Sequence, residues 1–453
     1  VRALQAGTDM DMVSCGFLNT LEESLKEGKV TEEQINAACR RVLEAKYKLG
    51  LFSDPYKYCD TLRVEKELYT TAHRAVAREI AAETFVLLKN EDHLLPLERK
   101  GKIALIGPMA DARNNMCGMW SMTCTPSCHG TLLEGIRSAA GDKAEILYAR
   151  GSNIYHDAEL EKGGAGIRPL ERGNELQLLD EALHTAARAD VIVAALGECA
   201  EMSGESASRT ELGIPDAQQD LLKALVKTGK PVVLLLFTGR PLVLNWEDAN
   251  VHSILNVWFG GSETGDAIAD VLFGKVTPGG KLTTTFPRSV GQLPLYYNHL
   301  NTGRPDPDSH SFNRYSSNYL DMSNEPLYPF GYGLSYTNFS YGNLQLSSDV
   351  LSRNGELTVS VTVTNDGDFD GYEIVQMYLH DIYAEISRPV KELKGFERIF
   401  LKKGESREVK FVITEDDLRF YNSGLQYVYE PGEFDVMVGA NSRDVQTERF
   451  RAD

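Results

Sequence analysis

The spacing of apolar residues divides the chain into three parts. In the first part, Thr31-Glu32-Glu33-Gln34 fits a helix-capping box, and the apolar residues after it repeat at helical spacing until Gly50. A second long helix is predicted over about 65–89, ending before the polar loop at 90–92. This part of the chain is therefore predicted to be helical.

From about residue 100, short runs rich in leucine and β-branched residues alternate with amphipathic helices. This alternation is typical of a mostly parallel sheet with crossover helices. The predicted strands are Lys102–Gly107, Ala144–Tyr148, Val191–Leu196, Pro231–Phe237 and Ser253–Val257. Ligand sites in such sheets lie just beyond the carboxyl ends of the strands.

The third pattern is a period of two. From about residue 279 to 337 the sequence is rich in Pro, Gly, Asn, Ser and Tyr without a sustained period, and we predict an ordered connecting segment at 291–340. After it come alternating strands separated by turns such as 365–368 and 402–405. Seven or so short strands in about 110 residues indicate a β-sandwich of fibronectin type.

Composition excludes some classes of function. The chain has 453 residues with 47 Lys+Arg and 65 Asp+Glu, a formal charge of −18, which argues against nucleic acid as a partner. No apolar run approaches the roughly 18 residues that cross a bilayer, so no membrane span is expected. The sequence begins at Val1 without a signal-peptide pattern, and we expect either a removed N-terminus or a fragment.

The loop after the third predicted strand, residues 197–209, has the strongest site signal. It places Glu198, Glu201 and Glu205 beside Arg209 at a strand's carboxyl end. A glutamate in such a loop can act as a general acid where apolar surroundings raise its pKa. On spacing alone, a solvated acidic loop without a catalytic role is the more common interpretation.

A second loop, residues 107–121, follows the first predicted strand and opens at the same sheet edge. It carries Trp120 in a context of Gly, Met and Ser. A flat indole is a natural platform for a sugar ring. The alternative is a tryptophan half-buried beneath the loop.

Four neighbouring residues invite a zinc interpretation: Cys117, Cys124, Cys128 and His129. Their spacing matches no standard ligand pattern, so we predict no metal. A disulfide among these cysteines is expected if the protein is exported, and free thiols if it is not. Residues 107–111 lack nucleotide-binding spacing, and the glycine-rich run at 163–166 is likewise interpreted as a flexible loop. No cofactor is predicted.

Several ordered stretches resemble glycoside hydrolase family 3, and within it the bacterial periplasmic β-glucosidases. The matching stretches are Ala6–Met12, Thr84–Asn90, Leu95–Leu97, Ser203–Arg209, Trp258–Gly274, Pro278–Leu282 and Tyr328–Tyr336. The resemblance implies an α/β plus all-β fold: a TIM-like barrel, a six-stranded α/β sandwich and a fibronectin type III-like β-sandwich. Residues 1–60 would hold the last barrel strand and helices. Residues 61–290 would form the α/β domain, 291–340 the connection and 341–453 the fibronectin-like domain.

The resemblance also implies site residues. Glu205 matches the general acid/base, Trp120 resembles a tryptophan that flanks the leaving-group sugar, Arg209 would orient the acid/base loop, and Asp9 would neighbour the sugar site. The family's nucleophilic aspartate lies on a barrel strand in a motif without a counterpart here. Ser53-Asp54-Pro55 has similar letters, but it follows the terminal helix. The nucleophile is therefore expected outside this sequence.

The expected function is a retaining β-glucosidase acting on short β-linked glucosides or oligosaccharides, with a barrel-bearing segment or chain required for activity. One alternative is a β-xylosidase or broad β-glycosidase, because barrel residues largely choose the sugar. Another is a non-catalytic carbohydrate-binding or assembly module, if the barrel is truly absent. The resemblance implies a periplasmic or secreted location. A homodimer is compatible with the sequence, although no spacing pattern supports it.

Overall fold

The computed structural model describes residues 1–121, 124–162, 171–305 and 313–453. The chain forms two compact units, residues 1–73 and residues 74–453. The glycine-rich run at 163–166 lies outside the described residues. Within the described ranges, no helix is both long and apolar enough to cross a membrane.

The first unit is helical. Its helices are α1 (Arg2–Gln5), α2 (Gly16–Lys26), α3 (Glu32–Lys48) and α4 (Arg63–Glu67). The predicted capping box is confirmed: the Thr31 hydroxyl accepts from the backbone N–H of Gln34, whose side chain accepts from the N–H of Thr31. The resemblance implies the last barrel strand within residues 1–60, but residues 1–73 form no paired strand.

The long helix predicted over 65–89 is wrong. Tyr69 adopts a φ of 51° between α4 and the next helix, α5 (Thr71–Thr84), and the chain then forms strand β1 (Val86–Asn90). This strand pairs antiparallel with residues 253–256. A short buried apolar run has no decisive period, so sequence spacing alone does not separate a strand from the end of a helix.

The central sheet of the second unit contains β1 and five further described strands. They are β2 (Lys102–Ile106), β3 (Glu145–Ala149), β4 (Val191–Gly197), β5 (Val232–Phe237) and β6 (Ser253–Asn256). The strand order is β1-β6-β5-β4-β2-β3, with β1 antiparallel and the other pairs parallel. The five predicted strands are therefore confirmed, and β1 is the sixth.

Helices cover both faces of this sheet. They are α6 (Leu132–Ala140), α7 (Glu175–Ala187), α8 (Asp216–Val226), α9 (Asn245–Asn250) and α10 (Thr264–Leu272). Alternate residues of β5 enter different cores: Val233 and Leu235 pack in one, Leu234 and Leu236 in the other. Two-sided burial explains why the strand sequences are almost continuously apolar.

The C-terminal region is a β-sandwich, as predicted. Its strands are β7 (Phe339–Tyr341), β8 (Gln345–Leu346), β9 (Val350–Leu351), β10 (Leu357–Asn365), β11 (Gly371–Asp381), β12 (Glu392–Leu401), β13 (Ser406–Ile413), β14 (Phe420–Tyr421), β15 (Tyr427–Val428), β16 (Gly432–Gly439) and β17 (Val445–Ala452), with the short helix α11 (Glu415–Leu418). One described sheet has the order β13-β10-β7 with β8 beside β10, and another has the order β12-β11-β16-β17-β9. Side chains of both sheets share one core, so the sheets pack face to face.

Buried polar contacts join the sandwich to the α/β domain and to the connecting segment. The Lys281 ammonium lies 3.2 Å from the Glu373 carboxylate, and both side chains are largely buried. The Gln376 side-chain amide donates to the carbonyl of Gly331 at 3.1 Å. Within the second unit, these contacts hold the sandwich against the domain that carries the candidate site.

His156 links α7 to α8 and gives the second unit a pH-dependent contact. Burial lowers the pKa of the imidazole, but hydrogen bonds to Glu175 and Asp220, at 3.0 and 3.2 Å, outweigh it and raise the pKa above 6.5. The contact therefore stabilises the fold fully below the unfolded pKa and is lost as pH rises through the folded pKa.

We expect His156→Gln to lower the Tm by roughly 1–2 °C at pH 5.5, since the imidazolium is partly exposed. The difference should become smaller as pH rises from 5.5 to 8.5, which thermal unfolding at both pH values would measure. His184→Gln, which removes an exposed histidine from α7, is the matched control. An equal Tm difference at both pH values would contradict the assignment.

Candidate active site

Three loops meet at the carboxyl edge of the central sheet. They follow the adjacent parallel strands β2, β4 and β5 and span residues 107–121, 198–209 and 238–240. Because parallel neighbours end at the same edge, side chains from these loops converge there. We call the loop at 107–121 the tryptophan loop and the loop at 198–209 the acid/base loop.

A buried carboxylate lies at the base of the acid/base loop. Glu198 is 0% exposed. It accepts a hydrogen bond from Arg209 Nη1 at 2.8 Å and one from the backbone N–H of Gly239 at 3.1 Å. The Thr238 hydroxyl and Arg240 Nε each lie 3.0 Å from its oxygens. A buried charge needs such pairing, and here two cations and two further donors provide it.

The two arginines that pair with Glu198 also donate to backbone carbonyls, and those bound by Arg240 belong to the acid/base loop. Arg240 Nη2 donates to the carbonyl of Ala207 at 2.7 Å and also to the carbonyl of Met202. Arg209 Nη2 donates to the carbonyl of Gly213 at 3.0 Å. The Arg240 contacts bracket Glu205, so this network holds the loop on both sides of the candidate acid.

Glu205 stands at the exposed tip of the loop, beside the tryptophan loop. Ser206 has a φ of 57° and Gly204 a φ of 108°. A Cβ atom at Gly204 would lie 2.9 Å from Cγ of Met119 and 3.6 Å from Nε1 of Trp120. The close approach of the two loops therefore depends on a glycine next to Glu205.

The indole of Trp120 is 76% exposed, so Trp120 is not the half-buried packing residue of the alternative interpretation. A second contact joins its loop to the acid/base loop, because the Asn115 side-chain oxygen accepts from the backbone N–H of Ala200 at 2.9 Å. An exposed aromatic face and an exposed carboxyl group thus share one supported edge.

Two other groups of the acid/base loop have shifted pKa values. Burial raises the pKa of the Cys199 thiol to about 12, with a further contribution from Glu201. Burial also raises the pKa of Glu201. Cys199 is therefore a protonated, unreactive thiol at neutral pH rather than a nucleophile.

The structure brings three predicted residues to one edge and places the fourth in the other unit. Glu205, Trp120 and Arg209 belong to the second unit, whereas Asp9 belongs to the first. The Asp9 carboxylate pairs with Arg41, with Nη2 at 2.6 Å, and the hydrogen bond from Arg41 lowers its pKa.

Sequence reasoning missed the supporting roles of Glu198 and Arg240. The sequence pattern marks Glu198 only as one of three carboxylates in its loop and assigns no role to Arg240. A signal was present, because Arg240 follows β5 by three residues and β5 neighbours β4. Charged residues just after adjacent parallel strands are brought together at one edge.

Of the alternatives for the cysteines in and after the tryptophan loop, the structure shows a disulfide. It joins Cys117 to Cys124, with the Cα atoms 6.4 Å apart. The bridge encloses Trp120 in a short covalent ring. The free cysteines of the described residues are Cys15, Cys39, Cys59, Cys128 and Cys199.

Comparison with known proteins supports the family resemblance. Residues 85–336 match the family model described as the glycosyl hydrolase family 3 C-terminal domain, and residues 373–442 match a fibronectin type III-like domain. This chain belongs to glycosyl hydrolase family 3. The family, the α/β sheet and the fibronectin-like sandwich are thereby confirmed as predicted.

The similar family 3 proteins are longer than this chain. A periplasmic beta-glucosidase of Salmonella typhimurium is 46% identical over 99% of this chain and 59% of the relative. A beta-xylosidase of Formosa agariphila is 38% identical over 98% of this chain and 59% of the relative. The crystal structure of a Listeria innocua beta-glucosidase in complex with isofagomine has a TM-score of 0.87 at 37% identity, covering 99% of this chain and 60% of that chain. The chain thus spans about three fifths of these relatives.

Proposed function

We propose that this chain supplies the general acid/base and the aglycone side of a retaining β-glucosidase. The observation that carries the proposal is the meeting of the two loops, where the glycine preceding Glu205 lies against Met119 and Trp120. A proton donor and an aromatic platform at one edge suit cleavage of a bond between two sugars.

Glu205 is assigned both proton transfers. It protonates the glycosidic oxygen as the leaving-group sugar departs, and then removes a proton from the water that attacks the glycosyl-enzyme. Its exposed position at the loop tip leaves the carboxyl group accessible to a substrate. A retaining reaction needs a second carboxylate about 5 Å away as nucleophile, which we assign to a barrel-bearing segment or chain. That segment together with this chain is called the complete enzyme below.

The remaining predicted residues take supporting roles in this proposal. Trp120 stacks on the leaving-group sugar, and Arg209 positions the acid/base loop through Glu198. Asp9 lies within residues 1–60, which are assigned to the end of the barrel, and its role as a neighbour of the sugar site stays a prediction from the resemblance. No metal or cofactor takes part in the proposed reaction.

Glucosides are the substrates that the relatives' names favour. A Listeria innocua beta-glucosidase variant was crystallised with laminaribiose, at 37% identity to this chain. The Formosa agariphila beta-xylosidase, at 38% identity, supports xylosides as the second candidate. Comparing kcat/KM of the complete enzyme for aryl β-glucosides and aryl β-xylosides decides between them, and a higher value for xylosides would overturn the glucosidase assignment.

We place the protein in the periplasm or outside the cell. The Salmonella typhimurium relative is described as periplasmic. The Cys117–Cys124 disulfide fits an oxidising compartment. Homodimer formation stays a prediction from the sequence.

If Trp120 stacks on the leaving-group sugar, its replacement should weaken binding only of substrates that have a sugar on the aglycone side. In the complete enzyme, we expect Trp120→Ala to raise KM for a β-linked glucose disaccharide about 10-fold, because one stacking contact of about 1–1.5 kcal/mol is lost. KM for a methyl β-glucoside should change little, since that substrate has no second ring. Steady-state kinetics on both substrates would measure the difference.

Two variants serve as controls for this prediction. Trp120→Phe keeps an aromatic face and should retain most of the affinity. Tyr421→Ala removes an aromatic side chain of similar exposure from the sandwich and should leave both KM values unchanged. Equal losses on the disaccharide and the methyl glucoside in Trp120→Ala would contradict the platform role.

A further inference from the structure

A sulfur and imidazole cluster lies at the end of the tryptophan loop. The Nε2 atom of His129 is 3.8 Å from Sγ of Cys117 and 3.5 Å from Sγ of Cys124. All three possible ligand atoms lie within 4.8 Å of one another. The proposed glycosidase reaction uses none of them.

The imidazole of His129 is oriented as a metal ligand would be. Its side chain is buried, with His129 4% exposed. Nδ1 lies 3.3 Å from the carbonyl oxygen of Gly130. Because a carbonyl only accepts, Nδ1 carries the proton in this contact, and Nε2 keeps its lone pair on the side of the sulfurs. A hydrogen bond from the far ring nitrogen to a backbone carbonyl is the usual support of a metal-bound histidine.

The distances from nitrogen to sulfur suit zinc. With Zn–S bonds of about 2.3 Å and Zn–N bonds of about 2.0–2.1 Å, a tetrahedral ion separates its sulfur and nitrogen ligands by about 3.5 Å. The two observed separations are 3.5 and 3.8 Å. The spacing along the sequence fits no standard zinc motif, so only the three-dimensional placement reveals this set.

The backbone around His129 is held independently of the disulfide. The Arg113 guanidinium donates to the carbonyl of His129 and pairs with Glu134 of α6 at 2.5 Å. The cap of α6 follows directly, with Thr131 accepting from the N–H of Glu134. These contacts do not involve the disulfide, so the backbone that carries the imidazole keeps its support when the disulfide is opened.

We propose that Cys117, Cys124 and His129 bind one zinc ion when the Cys117–Cys124 disulfide is reduced. The cluster then has two mutually exclusive states, a disulfide in oxidising surroundings and a zinc centre in reducing ones. Three protein ligands leave a fourth tetrahedral position for water or a further donor.

Conversion of the disulfide state to the zinc state needs a reductant, and a dithiol supplies the two electrons. One thiolate of the dithiol attacks a sulfur of the disulfide, and its second thiol resolves the mixed disulfide. The dithiol thus loses two electrons and two protons and becomes a disulfide, while Cys117 and Cys124 become thiols. Zinc binding then displaces the two thiol protons, and both sulfurs bind as thiolates.

Each state ties together the two ends of the segment that carries Trp120. In the oxidised state the tie is the S–S bond. In the reduced state it is the metal, so loss of the disulfide alone does not release the tryptophan loop. The proposal does not rest on glycosidase activity, because zinc content is measured without a substrate.

The test measures zinc and thiols on the same protein. The full chain is reduced with a dithiol under anaerobic conditions, equilibrated with zinc and desalted. We expect about one zinc per chain in the reduced protein and none after oxidation, with two fewer free thiols in the oxidised form. Alkylation followed by peptide mapping should show that zinc protects Cys117 and Cys124.

Single variants separate a zinc centre from a simple dithiol. His129→Ala keeps both thiols and still forms the disulfide, yet we expect its zinc affinity to fall at least 100-fold. Cys117→Ser and Cys124→Ser should lose both zinc and the disulfide, whereas Cys59→Ser, at an exposed free cysteine, should behave like the unchanged chain.

Two results would overturn the proposal. One is reduced protein that binds no zinc, and the other is a folded His129→Ala variant that binds zinc as tightly as the unchanged chain. If His129→Ala does not fold, alkylation of the unchanged chain decides, because equal labelling of Cys117 and Cys124 with and without zinc also overturns it.

Discussion

Replacing Glu205 with alanine in the complete enzyme is expected to lower kcat about 100- to 10,000-fold on a β-linked glucose disaccharide, the usual range for a lost general acid/base. A sugar is a poor leaving group and needs protonation. An activated aryl β-glucoside leaves without that help, so its first chemical step should be slowed far less. Pre-steady-state and steady-state rates on the two substrates would measure this difference.

The control for this variant lies on the same stretch of chain. Glu211→Ala removes an exposed carboxylate six residues after Glu205 and should keep full activity. If Glu205→Ala slowed the disaccharide and the aryl glucoside equally, Glu205 would not be the proton donor. If it left both rates unchanged, the non-catalytic interpretation of this chain would gain support.

Replacing Glu198 with alanine should have the second largest effect. The side chains of Arg209 and Arg240 are only 12% and 21% exposed, and both would lose their buried carboxylate partner. Breaking a buried ion pair by removing one member costs about 3–5 kcal/mol of the free energy of unfolding. Denaturant unfolding of the second unit should show a loss of this size.

Activity distinguishes a positioning role for Glu198 from a purely structural one. We expect Glu198→Ala to lower kcat of the folded complete enzyme on the disaccharide, because the arginines no longer hold the loop around Glu205. Glu198→Gln keeps the shape and one of the two acceptor oxygens without the charge, and should restore part of both stability and kcat. An unchanged kcat per folded molecule would show that Glu198 stabilises the fold but does not position Glu205.

The sequence predicted those parts of the fold where burial leaves a clear pattern, either a bounded apolar run or an alternation of apolar and polar residues. The strands of the central sheet after residue 100 are almost continuously apolar because both faces of that sheet are covered. The sandwich strands alternate between apolar and polar residues because only one face of each sheet is covered. β1 was mistaken for the end of a helix, since Val86, Leu87 and Leu88 form a run too short to carry a period. Its strand state depends on pairing with β6, which is distant along the chain.

The candidate site was predicted only where one loop contains the signal. Glu205 and Arg209 lie in one short stretch, and Trp120 lies in an unusual context after a predicted strand. The ion pair between Arg240 and Glu198 joins two loops, and the two residues are 42 positions apart in the sequence. The disulfide stayed one of several alternatives because the sequence states neither the compartment nor the distance between the sulfurs.

The assignment of Glu205 as acid/base is tested most directly by the product that Glu205→Ala of the complete enzyme forms from an activated aryl β-glucoside in azide. Azide needs no general base, so it should accelerate breakdown of the glycosyl-enzyme. Attack on an α-linked intermediate inverts the anomeric carbon and gives β-glucosyl azide. We predict rate rescue with the β product, identified by NMR. No rescue, or the α product expected when a nucleophile is missing, would contradict the assignment.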